Sequence, residues 1–178
     1  MVQYNNLLGF KEEMFSDSQK IETYKALGQI VMGSGGSEYK CAWAMSLLEQ
    51  GVDSPNLAIL ATLLKPINEF EADDYFNRVL KELNIDRPSE EGAIEGYARV
   101  LMKEVIDGSL TPEAGASMIY NANVKLGYPD SFGEFTVLED EWYCECINGW
   151  SKAQRRAEII KACKEAYEVL NYPKIFKA

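Results

Sequence analysis

The stretch SEEGAIEGYARVLMKEVIDG, residues 89–108, decides the fold class. Ser89 is a residue type that caps helix starts, and Gly108 is the type that closes helices in a left-handed turn. Between them Ile94, Tyr97, Leu101 and Val105 recur at spacings of three and four, the period of one helical face.

The same grammar repeats outward from this run. Toward the N-terminus, Ser18–Met32 carries Ile21, Tyr24, Leu27 and Val31, with Gly33 as a stop. Ser37 is placed to cap a second helix bearing Tyr39, Trp43 and Leu47 and ended by Gly51. Ser54-Pro55 starts a third, since proline at the first helical position loses no needed donor. That helix, Asn56 to Leu64, is apolar nearly all round and is expected at the centre of the fold. Pro66 breaks the chain, and Asn68 can cap a helix whose buried stripe is Phe76, Val79, Leu80 and Leu83. Toward the C-terminus, Thr111-Pro112 opens a helix with Met118, Ile119, Ala122 and Leu126 inward, closed by Gly127. A last helix runs from about Ser151 to Leu170 with Ile160, Cys163, Tyr167 and Leu170 on one face.

Pro129 to Trp150 reads two ways. Phe135, Val137 and Leu138 suit a strand that Trp142 to Ile147 could pair with, and the same residues fit a helix bounded by Gly149. Helix is the preferred reading. Short connections favour antiparallel neighbours. The expectation is one all-α domain over residues 1–178, an irregular multi-helix bundle or a short stack of antiparallel helical hairpins, with about seven to eight helices.

Charge narrows the partners. With 28 acidic residues, 18 basic ones and no histidine, the formal net charge is -10. Nucleic-acid binding needs lysines and arginines that displace counterions, so nucleic acid and anionic membrane are not expected as partners. A basic protein would be drawn in by this field, although acidity also serves solubility alone. The four cysteines, Cys41, Cys144, Cys146 and Cys163, are not spaced as a disulfide scaffold. Met1–Phe10 has no basic segment followed by a long apolar run, and Leu57–Leu64 is too short to cross a bilayer. A cytoplasmic location with free thiols is expected.

Chemistry-bearing motifs give little. Gly33-Ser34-Gly35-Gly36-Ser37 follows a helix and lacks the Lys-Ser/Thr of a phosphate loop; it reads as a connector. No histidine means no Ser–His or Cys–His dyad and no histidine-based metal motif. A four-thiolate site would need Cys41 and Cys163 to converge on Cys144 and Cys146, so no metal or cofactor is expected. Asp107–Thr111 begins like a calcium loop, but Pro112 and Met118 stand where that loop needs glycine and glutamate.

Two acidic clusters remain. Glu69, Glu71, Asp73 and Asp74 crowd a helix start, where acids also complement the helix dipole. Glu139, Asp140, Glu141 and Glu145 lie beside Trp142, Tyr143 and Trp150. Aromatic rings set among charges are common anchors of protein interfaces, and equally common as core. The candidate partner-binding residues are therefore Glu139, Asp140, Glu141, Trp142 and Glu145, with Glu69, Glu71, Asp73 and Asp74.

LATLLKPINEFEADDYFNRVLKELNI (residues 60–85), DGSLTPEAG (107–115) and LGYPDSFGEF (126–135) resemble stretches of uncharacterised, small, acidic, all-helical bacterial proteins. Some proteins of that kind act as immunity proteins, which bind and neutralise a basic toxin. The resemblance covers a minor part of the chain and brings no catalytic residue with it. The acidic charge and the lack of catalytic motifs point to a non-catalytic protein-binding module, a reading to which this resemblance adds; the alternative expectation is an enzyme using carboxylate acid–base residues in a helical cleft.

Overall fold

The structure is a computed structural model. It describes residues 15–33, 36–143 and 149–177, with the backbone alone for 141–143. The described residues form eight α-helices and one 3-10 turn, in the order α1 Asp17–Met32, α2 Gly36–Glu49, α3 Pro55–Ala61, α4 Glu69–Glu82, α5 Glu90–Asp107, α6 Pro112–Lys125, the turn Asp130–Phe132, α7 Gly133–Tyr143 and α8 Lys152–Val169. Within the 129–150 segment, residues 130–143 are helical.

Local chemistry sets the helix starts. Ser54, Asn68, Ser89 and Thr111 each accept a backbone N–H two or three residues on. Ser16 with Gln19 and Ser151 with Gln154 form reciprocal capping boxes, in which the glutamine side chain accepts the cap's own N–H at 2.8 Å. Gly33 and Gly108 close α1 and α5 at φ 89° and 78°, a region that side chains disfavour.

Ser37 departs from expectation. The α2 helix begins one residue earlier, at Gly36, so Ser37 lies inside it and does not cap it. Its side chain is buried, and its Oγ has no hydrogen-bond partner among the described residues.

The centre of the fold is also not where the apolar run 57–64 suggests. That run yields only the short α3, which rests on α2 and α4. Leu57, Leu60 and Ala61 are buried, but Ile59 is 41% and Leu64 87% exposed. The seven-residue helix packs on α2 and α4 through one face, and its other face stays in solvent. The central element is α5, which touches α1, α6 and α8.

Two hydrophobic cores flank α5. The first gathers α1 to α4 with Phe15, Ile85 and Ile175; the second gathers α6 to α8 with Phe132. From α5, Ala93 and Val100 enter the first core, while Ile94, Tyr97, Ala98, Leu101, Met102 and Val105 enter the second. The close fit of α1 on α5 depends on Gly28: a β-carbon there would lie 2.1 Å from that of Tyr97.

A C-terminal strap ties the halves together. After α8, residues 170–177 return to the first core. The Tyr24 hydroxyl donates to the Pro173 carbonyl at 2.8 Å, and the Asp86 N–H donates to the Ile175 carbonyl at 2.7 Å. Ile85 and Phe176 form an antiparallel bridge. Arg99 of α5 donates to the carbonyls of Tyr167 and Leu170, satisfying acceptors at the end of α8 that the helix itself leaves open. Its guanidinium carbon lies 3.7 Å from the Tyr167 ring centre.

Candidate functional site

The corner between α3 and α4 holds the clearest surface feature. Asn68 Oδ1 accepts the N–H groups of Phe70 at 3.0 Å and Glu71 at 3.4 Å, which fixes the first turn of α4. Ala72, Phe76, Val79 and Leu80 face the core from that helix. Phe70 stands two residues before Ala72, hence on the far side of the helix, and is 89% exposed. Leu64, in the preceding loop, is similarly exposed. Two large apolar side chains thus project at one corner without a covering element among the described residues.

Five acids surround them, and ion pairing sorts them. Asp73 accepts from the buried Lys40, Asp74 pairs with Arg78 at 2.5 Å, and Glu38 pairs with Lys65 at 2.8 Å. The Lys65 hydrogen bond, then its charge, holds the Glu38 carboxyl below its ordinary value and raises that of Lys65. Glu69 and Glu71 have no ion pair among the described residues, and they flank Phe70. An acidic field therefore remains where the phenyl ring stands.

Beside Phe70 a cleft of about 520 Å³ opens between the first turn of α2 and the 65–67 loop. Its walls are Ser37, Glu38, Lys65, Pro66, Ile67 and Glu69. Ser37 is 6% exposed, so its unpartnered hydroxyl is a buried polar group whose hydrogen-bonding capacity goes unused.

The second acidic cluster sits on α7, in the other half of the molecule, and the fold does not merge it with the first. Glu139 turns partly inward: its Oε1 accepts from the Ser117 hydroxyl at 3.0 Å, and its buried Oε2 has no partner among the described residues. Asp140 is exposed. The side chains of Glu141 and Trp142, and all of Glu145, lie outside the described residues, as do Cys144 and Cys146. Trp150 is half-buried against the second core, and its carbonyl accepts from Arg155 at 2.9 Å.

Among the described residues, the carboxyls whose acidity moves are moved toward the ionised form. Hydrogen bonds from Ser54 and then Asn56 lower Glu82. Burial opposes ionisation of Glu113, but the hydrogen bond and charge of Arg156 outweigh it. Among the described thiols, burial pushes Cys163 up to about 12 and also raises Cys41, leaving both poor nucleophiles near neutrality. Cys41 adjoins the first core and Cys163 belongs to the second; no group of three potential ligands among the described residues could hold a metal ion.

A second cleft, about 550 Å³, lies where the halves meet and includes Gln29, Met32, Tyr39, Tyr97, Met118 and Asn121 in its lining. Burial pushes the Tyr97 phenol up to about 12. No described helix is long and apolar enough to cross a membrane.

Fold and surface together define an all-α protein with two cores around a shared helix and an acidic, apolar-tipped corner. Comparison with protein-family models, curated proteins and solved structures finds no match to this chain.

Ser37, Leu64 and Phe70 were not among the residues expected from sequence. A signal for Phe70 existed, since it falls off the stripe of Phe76, Val79 and Leu80 and follows the cap Asn68 by two residues. None existed for Ser37, whose burial is a tertiary fact.

Proposed function

We propose that this chain is a non-catalytic protein-binding module that meets a basic protein through the α3–α4 corner, in the manner of an immunity protein neutralising a toxin. The observation that carries the reading is Phe70, projecting between two carboxylates that have no ion pair among the described residues. An exposed phenyl ring gains nothing for the folded monomer, whereas fully burying it in a partner is worth about 1.5–3 kcal/mol. Aromatic anchors ringed by charge are the usual form of interface hot spots. The net charge of -10 would speed encounter with a cationic surface.

Co-purification of the tagged chain from its native host tests this. The expected result is a basic protein retained by the wild type and by Asp140→Asn, and lost from Phe70→Ala combined with Glu71→Gln. Equal retention by all three would reject the corner as the binding surface.

The second reading, carboxylate acid–base catalysis, draws on Glu139 and its unpartnered buried Oε2. A catalytic acid would need a carboxyl held protonated, and among the described residues the shifted carboxyls Glu38, Glu82 and Glu113 move the other way. The binding reading is therefore preferred.

A further inference from the structure

We infer that the cleft beside Phe70 receives an arginine side chain of the basic partner, with Lys65 occupying its carboxylate wall until that arginine arrives. The inference rests on the proposed role of the α3–α4 corner and names what the corner recognises.

The lining is amphipathic in the way an arginine is. Pro66 and Ile67 offer an apolar surface to the methylene stem. Glu69, without an ion pair among the described residues, and Glu38 supply carboxylates to the guanidinium. Ser37 adds a buried hydroxyl whose acceptor capacity no described group uses. A guanidinium carries five donors in a planar fork and can reach a hydroxyl and a carboxylate together, which an ammonium does less well. An anion would face both glutamates.

Lys65 makes the site competitive. Its pair with Glu38 spans 2.8 Å, with the two side chains 76% and 68% exposed. Pairs so open to water contribute little, so an incoming arginine loses little by displacing Lys65. Removing Lys65 should then strengthen binding beyond what a single lost positive charge elsewhere would do.

The test uses the whole chain, an arginine–glycine repeat peptide and the same peptide with citrulline for arginine, titrated by calorimetry at low and physiological salt. The arginine peptide is expected to bind and the citrulline peptide not to. Ser37→Ala should weaken binding about tenfold. Lys65→Ala should tighten it several-fold. Lys81→Ala, the same charge change at the far end of α4, should tighten it less. Circular dichroism confirms that each variant is folded.

Should Ser37→Ala leave affinity unchanged and Lys65→Ala match Lys81→Ala, the arginine cleft is wrong. If Phe70→Ala and Glu71→Gln still weaken binding in that case, the corner stands without the cleft. Absence of arginine-peptide binding at low salt would overturn both. Loss on Ser37→Ala with no effect of Phe70→Ala would keep the cleft and reject the apolar anchor.

Discussion

Tyr24 of α1 stacks on Tyr172 of the C-terminal strap, ring centres 4.5 Å apart and planes inclined by 17°. The two residues are far apart in sequence and meet on the first core. Tyr24 is buried, meets Phe176 edge-on at 5.6 Å, and donates its hydroxyl to Pro173. One residue of the first core therefore meets three residues of the returning strap.

Replacing Tyr24 by alanine removes a large buried ring and a hydrogen bond together. The expected cost is about 3–5 kcal/mol, read as a lower midpoint in urea denaturation. Tyr24→Phe keeps the ring and loses only the hydroxyl, so its cost should be about 1 kcal/mol. Equal losses for the two variants would show that ring stacking does not hold the strap.

Gly28→Ala reverses the usual effect of that substitution in a helix. Alanine normally favours helix over glycine by about 1 kcal/mol. Here the added carbon meets the Tyr97 β-carbon at 2.1 Å, an atom fixed to the backbone of α5, so the helices must part. We expect net destabilisation of about 1–3 kcal/mol by thermal or chemical unfolding. Gly133 in α7 has nothing within 4 Å of such a carbon, and its alanine variant should be neutral or slightly more stable.

Phe70→Ala should separate stability from binding. The ring is almost wholly in water, so the unfolding midpoint should stay within about 0.5 kcal/mol of wild type. Affinity for the basic partner should fall by about 2 kcal/mol or more, the cost of a lost hot spot. A large stability loss with unchanged affinity would place this ring among structural residues instead.

The pair between Glu113 and Arg156 predicts acid sensitivity. The Glu113 carboxyl is held below its ordinary 4.5 in the folded chain. A depressed carboxyl adds stability above its unfolded value, and that stability is lost as pH falls from about 4.5 through the folded value. Arg156→Gln should flatten stability against pH in that acid window. A slope unchanged by the variant would assign the acid response to other carboxyls.

What was legible in the sequence was local. Ser89, Thr111, Ser54 and Asn68 bond to backbone groups within three residues of themselves, so their helices begin where the residues say. Ile94, Tyr97, Leu101 and Val105, read as one buried face, are all buried. The acids Glu69, Glu71, Asp73 and Asp74 were visible as a cluster, and the four-residue spacing of Asp74 and Arg78 within α4 is a local pairing signal. That Asp73 meets a cation while, among the described residues, Glu69 and Glu71 do not depends on where α2 carries Lys40. The α7 cluster divides likewise: Asp140 stays in solvent, and Glu139 turns toward Ser117 because α6 lies against α7.

The sequence by itself determined a mostly helical chain, the helix starts at Ser54, Asn68, Ser89 and Thr111, and the excess of acidic residues, because capping and periodicity act over one or two turns of backbone. Only the tertiary structure decided that α5 and not the apolar run at 57–64 lies at the centre, that Ser37 is buried inside α2, and that the strap returns to Tyr24. Those outcomes turn on which faces meet across long stretches of chain, a choice made by shape and volume that no short window of residues encodes.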